Sequence, residues 1–306
     1  MDPLVARSKA AIERGSKSFA AATRLFAPPT REGALLLYAW CRHCDDRIDE
    51  QVLGFRTGRP SSEPSAERLA TLERETRRAL AGESVEDPAF AALQEAVRRH
   101  HIPDRHALDH LNGYKMDVMG QRYETLEECC RYCYFVAGVV GVMMAHVMGV
   151  HDEDSLDRAA DLGIAFQMTN VVRDVVEDAG AGRVYLPGQW LRGAAVPPGE
   201  VSRPEHRAAV HAVALRLLDE ADRYYASGAV GLARLPFRSA WAVAAASRVY
   251  RDIGRLVRDR GPHAWDRRAS TGPVRKAFLV LAAVWDAATR RLAGAHPRNG
   301  LWTRPH

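Results

Sequence analysis

The sequence predicts an all-α protein, and three observations support that prediction. No proline occurs between Pro103 and Pro187. Within this span apolar residues recur at intervals of three and four, as in "LDHLNGYKMDVM" at 108–119, which is typical of helices. The alternating pattern of strands and the turn pairs of hairpins are missing. We expect one helical domain over residues 1–306, because no change in composition and no fixed-period repeat divides the chain.

The same periodicity gives the order of the helices. Loops rich in Gly, Pro and Ser are predicted at 51–65 and 180–201, with an irregular tail after residue 293. The predicted helices cover 4–23, 31–50, 66–82, 87–99, 104–120, 125–150, 154–179, 202–230, 238–260 and 272–293.

Composition limits the classes of partner. The chain has 306 residues, of which 47% are hydrophobic and 26% charged, as in an ordinary globular protein. Its net charge is +5, but no basic block interleaved with aromatic residues occurs, so nucleic-acid binding is not expected. Anionic small molecules and a membrane surface remain as partners.

Cysteine usage indicates a reducing compartment. There are five cysteines and no secretory signal precedes them, so we expect a cytoplasmic location. Cys41 and Cys44, and likewise Cys130 and Cys133, have a spacing that can bind zinc. Both pairs lie in apolar helical segments without the glycine-containing turns of zinc ribbons, which favours packed free thiols.

One long uncharged stretch raises the question of a membrane span. Residues 132–150 contain no Asp, Glu, Lys or Arg and are long enough to cross a bilayer. Glycines within it, and the lack of a second such segment, favour a core helix. Gly138, Gly141 and Ala145 form a stripe of small residues, which permits either a close helix contact or a groove for a hydrocarbon tail.

A first acidic cluster ends the apolar helix at 31–50. The stretch "YAWCRHCDDRIDE" at 38–50 places Asp45 and Asp49 on one helix face, although like charges four residues apart repel. A second cluster, "QMTNVVRDVVEDAG" at 167–180, aligns Asn170, Asp174 and Asp178 on one stripe that Gln167 extends.

Two such faces predict a metal site. A buried helix with stacked carboxylates needs a compensating cation. Oxygen ligands suit Mg²⁺, which binds through one or two carboxylates together with substrate phosphates. Arg42 and Arg173, beside the clusters, could pair with those phosphates. The alternatives are that each cluster is a solvated helix end and that each arginine forms ion pairs within its own helix.

Several motifs together resemble those of the squalene/phytoene synthases. They are "GSKSF" at 15–19, "YAWCRHCDDRID" at 38–49, "YCYFVAGVVG" at 132–141, "AFQMTNVVRDVVEDA" at 165–179 and "GRVYLP" at 182–187. Two further stretches, "AWDRRAS" at 264–270 and the "LWTRP" that ends at 305, are similar to the bacterial phytoene synthases in that family. The resemblance implies a single isoprenoid-synthase-type helical domain around a central cavity.

The resemblance also implies a role for each matching position. Metal binding falls to Asp45, Asp49, Asp174 and Asp178. Contacts to the substrate diphosphates fall to Ser16, Arg42, Asn170, Arg173, Tyr250 and Arg267. Tyrosines near the reacting carbons, taken as catalytic, are Tyr38, Tyr132 and Tyr185. The tail pocket is expected to include Phe19, Thr23, Leu35, Ala137, Gly138, Gly141, Ala145 and Gln167.

Two residues depart from the family pattern. Arg47 stands where close relatives usually have an apolar residue, and we expect it to point away from the acidic face or to pair with a nearby carboxylate. Phe135 replaces a frequent histidine. Neither change affects the four carboxylates.

The implied activity is a head-to-head (1′–1) condensation of two geranylgeranyl diphosphates, through a cyclopropyl (prephytoene) diphosphate, to phytoene in carotenoid biosynthesis. The expected cofactor is Mg²⁺, with Mn²⁺ as a substitute, and no reductant. Expected partners are geranylgeranyl diphosphate, a membrane surface bound peripherally and other carotenoid enzymes. The small side chains of "AAATRLF" at 20–26 and Leu35 predict a pocket deep enough for a twenty-carbon tail, unless they only make a close helix contact.

Other activities remain open at this point. The nearest is the same fold making squalene or dehydrosqualene from farnesyl diphosphate. A head-to-tail chain elongator should repeat D-D-x-x-D in its second motif, and a cyclase should have Ser or Thr where Asp174 stands. A non-catalytic assembly partner should have lost acidic residues of the two motifs, yet all four are present.

Overall fold

Helices make up nearly all the regular structure of the chain. The computed structural model describes residues 3–15, 22–49, 51–52, 55–56, 63–292, 294 and 296–305. Its longer helices are α1 (Pro3–Gly15), α2 (Pro28–Asp49), α3 (Ser65–Leu80), α4 (Pro88–His100), α5 (Asp104–Val118), α6 (Leu126–Cys133), α7 (Val139–Val147), α8 (Glu153–Gly180), α9 (Gly188–Gly193), α10 (Arg207–Gly231), α11 (Phe237–Arg260) and α12 (Pro273–Thr289).

Short elements connect these helices. The strands β1 (Gln51–Val52) and β2 (Phe55–Arg56) pair antiparallel after α2. Single turns of 3-10 helix lie at Pro198–Glu200, Pro204–His206, Leu232–Arg234, Gly261–His263 and Arg290–Leu292. The all-α prediction is therefore confirmed among the described residues, apart from this one pair of two-residue strands.

Helix α8 lies at the centre and positions the site. Its buried residues include Leu156, Ile164, Met168 and Val172 on different sides of the helix, because α7, α10 and α11 all pack against it. The Asp152 side chain accepts a hydrogen bond from the Ser155 amide at 3.1 Å and caps its N-terminus. A helix that is apolar on most sides has only a narrow stripe for charged groups.

The predicted helix 125–150 is interrupted by a wider turn. Between α6 and α7, Tyr134–Gly138 form a π-helical turn. Two glycines lie against this turn, because a Cβ on Gly163 would lie 2.4 Å from the Ala137 carbonyl oxygen, and one on Gly113 would lie 2.6 Å from the Val136 side chain and 3.2 Å from the Phe135 carbonyl carbon. The run Leu126–Val147 is long and apolar enough to cross a membrane, but 67% of its most apolar window is buried, as expected of a core helix.

Helix α2 carries the first acidic motif towards α8. Its residues Leu37 and Trp40 pack into a core with Leu93 and Leu111, and all four are nearly inaccessible to solvent. This packing fixes the rotation of α2 and leaves the last two turns facing the interior of the molecule.

Several predicted boundaries need correction. The helix predicted at 202–230 starts at Arg207, because Pro204 favours a separate 3-10 turn before it. The predicted loop at 180–201 contains α9. The helix predicted at 4–23 crosses residues 16–21, which lie outside the described part of the chain.

The cysteines are free, as predicted. Cys44, Cys129, Cys130 and Cys133 are buried and Cys41 is half-buried. Burial raises the pKa of the Cys130 thiol to about 12, and its Sγ lies 3.4 Å from the Tyr224 hydroxyl.

Three histidines form a cluster under α7. The rings of His106 and His146 are 5.6 Å apart, and His146 Nδ1 lies 2.8 Å from His151 Nδ1. Burial lowers the pKa of His106 to about 3 and that of His146 to about 4. Neither ring nitrogen of His106 has a hydrogen-bond partner among the described residues.

We expect His106→Leu to make the fold less sensitive to acid. A histidine whose pKa falls on folding binds a proton more readily when unfolded, so its stabilising contribution is lost as the pH falls from 6.5 towards 3. The unfolding free energy of the variant minus that of the wild type should therefore rise by about 1–2 kcal/mol from pH 7.5 to pH 5. Urea unfolding at both pH values measures it.

Leu93, a buried residue without a titratable group, provides the control for this measurement. Leu93→Ala should lower the free energy of unfolding by the same amount at both pH values. A constant difference between His106→Leu and the wild type at all pH values would contradict the prediction.

Candidate active site

The two acidic faces meet across one cavity of about 390 Å³. Asp45 and Asp49, on the last turns of α2, line it together with Asp174 and Asp178 of α8. The two faces therefore oppose each other across this cavity. Arg42, Arg173 and Arg183 line the same cavity, which we call the carboxylate cavity.

Arginines compensate three of the four carboxylates, and one of these pairs joins Arg42 to Asp45 at 3.6 Å. Asp174 accepts hydrogen bonds from Arg173 at 2.9 Å and from Arg268 at 2.9 and 3.0 Å. Burial acts to raise the pKa of Asp174, but these bonds outweigh it and hold the pKa below its ordinary value. Asp49 accepts from both terminal nitrogens of Arg183 at 3.2 Å.

Asp178 lacks such compensation. Within the described part of the chain no hydrogen bond or ion pair reaches its carboxylate, and burial together with the charge of Asp174 raises its pKa to about 7. A carboxylate held in this way favours the approach of a cation.

Asp45 has a hydrogen-bond partner that the sequence did not reveal. The Tyr114 hydroxyl donates to Asp45 Oδ1 at 2.6 Å. His110 donates from Nδ1 to the Phe135 carbonyl oxygen at 3.0 Å, and its ring packs edge-on against Tyr114 with centroids 5.0 Å apart. Burial lowers the pKa of His110 to about 4 and raises that of Asp45 to about 6. The neutral histidine therefore fixes the tyrosine by packing, and the tyrosine orients Asp45.

A fifth carboxylate, Asp117, connects two of the predicted tyrosines. It accepts hydrogen bonds from the Tyr132 hydroxyl at 3.1 Å and the Tyr185 hydroxyl at 3.0 Å. The two rings stack with centroids 4.7 Å apart, and burial raises the pKa of Asp117 to about 6. His110, Tyr114 and Asp117 are spaced four and three apart on α5, so a polar stripe on that helix was the signal that sequence reasoning missed.

The carboxylate cavity adjoins an apolar one. This second cavity, of about 430 Å³, shares Asp45, His110, Val136, Gln167 and Asn170 with the first. Its other walls are almost entirely apolar, and the third predicted tyrosine, Tyr38, lines it with its hydroxyl 3.3 Å from Arg42. The arrangement suits a molecule with a charged head and a hydrocarbon tail.

The predicted tail-pocket residues divide into two groups. Ala137, Gly141, Ala145 and Gln167 line the apolar cavity as predicted. Gly138 does not line it, since a Cβ there would lie 2.9 Å from Tyr134 and 3.2 Å from Ile164, so this glycine serves a close helix contact.

Two more predicted pocket residues are corrected. Leu35 does not line the apolar cavity and is buried instead with Ile12, Leu36 and Ala92. Thr23 is buried outside the lining, and its neighbours Ala22 and Phe26 line the cavity instead.

The predicted diphosphate contacts are partly supported. Arg42, Asn170 and Arg173 line the carboxylate cavity, whereas Tyr250 lines the apolar cavity and stacks on Phe166 at 4.4 Å. Arg267 is exposed at a bend and lines neither cavity, and the next residue, Arg268, is the one that binds Asp174.

Three further residues complete the comparison with the sequence. Ser16 and Phe19 lie outside the described residues. Arg47 pairs with Glu63 at 3.2 Å, as expected of a residue that faces away from the acidic stripe.

The donor set of the site fits a hard divalent cation. Its potential ligands are carboxylate oxygens on facing helices, and one of them, Asp178, has no compensating partner among the described residues. No three carboxylate, imidazole or thiolate groups in the described residues converge closely enough to hold an ion by themselves. A bound ion would therefore take one or two carboxylates and complete its shell with oxygens of a phosphate ligand or water.

A helical fold in which a carboxylate and arginine cavity adjoins an apolar one defines the class of prenyltransferase-type enzymes that process prenyl diphosphates. The chain belongs to the squalene/phytoene synthase family, whose profile matches residues 12–294.

The relatives agree with this assignment. The chain is 51% identical over 292 residues to the 15-cis-phytoene synthase of Pantoea ananas, covering 95% of this chain and 94% of that one. It is 51% identical over 295 residues to the 15-cis-phytoene synthase of Enterobacter agglomerans, covering 96% and 100%.

Solved structures share the fold. A ligand complex of a dehydrosqualene synthase superposes with a TM-score of 0.81 at 26% identity, covering 92% of this chain and 95% of that one. The squalene synthase HpnC of Alicyclobacillus acidocaldarius superposes with a TM-score of 0.68 at 20% identity, covering 95% and 94%.

Substituting the two adjacent arginines tests which of them serves the site. Arg268→Ala should weaken binding of inorganic diphosphate, measured by calorimetry with a divalent cation present, by about threefold to tenfold, because it removes a cation that reaches Asp174. Arg267→Ala should bind within about twofold of the wild type, because exposed charges contribute little. A larger loss for Arg267→Ala than for Arg268→Ala would reverse the assignment.

Proposed function

We propose that the chain is a phytoene synthase that joins two geranylgeranyl diphosphates head to head and releases both diphosphates. The observation that carries this proposal is that five residues line both the carboxylate cavity and the apolar cavity, so the two spaces adjoin. The 51% sequence identity to two 15-cis-phytoene synthases over nearly the whole chain supports it. Incubation of the purified protein with geranylgeranyl diphosphate and Mg²⁺, followed by identification of the lipid product, tests it.

Asp45, Asp49, Asp174 and Asp178 would hold divalent metal, with Mg²⁺ preferred and Mn²⁺ as a substitute. When bound, the metal neutralises charge on the diphosphate and makes it a better leaving group. Arg42 and Arg173 add fixed positive charge at the same cavity, where each can pair with diphosphate oxygens in a fork. Arg183, now bound to Asp49, can release that carboxylate to metal and turn to an anionic ligand.

The protein also protects the cationic stages of the reaction. Loss of one diphosphate leaves an allylic cation, which the double bond of the second substrate attacks, and proton loss closes a cyclopropane that keeps its own diphosphate. Loss of that group, rearrangement and a second proton loss give phytoene. Tyr38, Phe166 and Tyr250 present aromatic rings to the apolar cavity, where they stabilise positive charge and exclude water.

The second candidate activity is coupling of farnesyl diphosphate to a thirty-carbon product. The superposition on a dehydrosqualene synthase favours it as the alternative, because the two chains share the whole fold. Turnover of farnesyl diphosphate alone, with geranylgeranyl diphosphate left unused, would select this alternative.

Loss of one cavity carboxylate should abolish most activity. Asp178→Asn removes the uncompensated charge of α8, and we expect product formation to fall at least about a hundredfold with saturating Mg²⁺. Asp46 does not line the carboxylate cavity and provides the matched control. Asp46→Asn should retain activity within about threefold, because Asp46 does not line the cavity and its ion pair with Arg42 is long, at 4.0 Å. Comparable losses in both variants would contradict the metal assignment.

The length of the prenyl tail should depend on the apolar cavity and not on Leu35. Ala242 lines that cavity beside Phe26 and Met148, so Ala242→Trp should shorten the cavity. In a competition of both substrates, the product ratio should shift towards the thirty-carbon product of farnesyl diphosphate.

Leu35→Trp gives the contrasting case. It should overpack the core between α1, α2 and α4 and lower stability by roughly 1–3 kcal/mol with no change in preference. A shift of preference in Leu35→Trp, with none in Ala242→Trp, would place the pocket floor on α2 after all.

A further inference from the structure

The large apolar side chains that remain exposed gather on one helix. Val274, Phe278, Leu281 and Trp285 of α12 are between 67% and 84% exposed. Their spacing of four, three and four residues places them on one side of the helix, and Leu292 continues the line beyond its end. We call Val274, Phe278, Leu281, Trp285 and Leu292 the outer stripe. Among the described residues, the other large apolar side chains of comparable exposure are Met119 and Phe237.

The opposite side of α12 is also apolar. Leu279, Ala283 and Ala287 are buried where α12 packs on α11. A helix that is apolar on both sides is normally covered on both. A contiguous exposed apolar surface of this kind marks an interaction site.

The charges around the outer stripe select an anionic partner. Arg275, Lys276, Arg290 and Arg291 lie along residues 273–292. The buried Asp252 neutralises Arg275 at 2.7 Å, and the one carboxylate within this range, Asp286, is bound by Arg248 at 2.7 Å. Lys276, Arg290 and Arg291 therefore supply the positive border. Two copies of the chain placed stripe to stripe would bring cationic borders together, which disfavours a dimer. Anionic lipid headgroups would attract the same border, and a tryptophan beside it is typical of residues at a membrane surface.

A charged groove lies behind α12. It has a volume of about 890 Å³, lies between α10, α11 and α12, and reaches outward to Leu292. Six arginines and three aspartates line it, so the groove adds positive charge beside the outer stripe. Leu162, Gly228, Leu232 and Val243 form the wall that this groove shares with the apolar cavity.

We propose that the outer stripe docks the protein on the surface of an anionic lipid bilayer. Helix α12 then lies in the plane of the interface with Phe278 and Trp285 among the acyl chains and its cationic border among the headgroups. This inference goes beyond the proposed reaction, because the surface binds lipid whether or not the site turns over substrate.

Vesicle binding tests the proposal without substrate. The wild type should sediment with vesicles of phosphatidylglycerol and phosphatidylcholine at least about tenfold more strongly than with phosphatidylcholine alone. The double variant Phe278→Glu with Trp285→Glu should lose at least about tenfold of that binding. Met119→Glu, a matched change at an exposed apolar residue outside α12, should bind like the wild type. Wild-type binding by the double variant would overturn the proposal.

Trp285 supplies a local signal for the same surface. Its fluorescence should shift to shorter wavelength when anionic vesicles are added, because the exposed indole enters a drier environment. Trp285→Phe should still bind vesicles but lose the shift. An unchanged spectrum in the bound wild type would show that another surface makes the contact.

A second copy of the chain is the competing occupant. Sedimentation equilibrium of the wild type without lipid should show the same mass as the double variant. A wild-type dimer that the double variant abolishes, with no binding to anionic vesicles, would assign the stripe to self-association and overturn the proposal. Phe278→Ser, a milder change checked by its melting temperature, replaces the double variant if that variant fails to fold. Vesicle binding by a protein that forms no phytoene would leave this inference intact and refute the proposed reaction.

Discussion

Negative charge buried along α8 is the constraint on which the rest of the structure depends. The helix is packed by neighbours on most sides, so Asp174 and Asp178 can face only the carboxylate cavity. Arg173 and Arg268 neutralise the first of them, but the pKa of Asp178 stays raised to about 7 by burial and by its neighbour. Charge in such a place destabilises the isolated protein and becomes affinity for metal and diphosphate. The surrounding helical core offsets that penalty.

Close backbone approach explains how the opposite carboxylates are held. Gly163 of α8 and Gly113 of α5 leave room for the π-helical turn at Tyr134–Gly138, where any side chain would clash. That turn presents the Phe135 carbonyl oxygen to His110 and thereby fixes the proton on Nδ1. The His110 ring then packs edge-on against Tyr114, which donates to Asp45. A glycine contact between helices is in this way tied to the orientation of one site carboxylate.

The spaces of the molecule are arranged by polarity. The carboxylate cavity shares five residues with the apolar cavity, which shares four with the groove beneath α12. A charged head and its hydrocarbon tail can therefore occupy adjoining spaces, whereas the groove beneath α12 is lined by many charged side chains. The first two spaces suit chemistry that starts from an anionic ester and ends in a hydrocarbon, because the apolar cavity excludes water where the cations form.

The sequence by itself determined the fold class, most of the helices and both acidic faces, because helical periodicity and buried like charge are local signals. Only the tertiary structure decided which other polar groups join them. In the sequence, Tyr114 and Asp117 look like positions of an ordinary helix. Arg268, and not the predicted Arg267, contacts the site, because a motif does not encode the direction of side chains at a bend. Leu35 was predicted in the tail pocket but packs in a separate core, because two faces of α2 are apolar and the sequence cannot tell which neighbour covers each face. The same ambiguity hid the outer stripe, since an apolar helix looks alike in sequence whether protein or solvent lies against it.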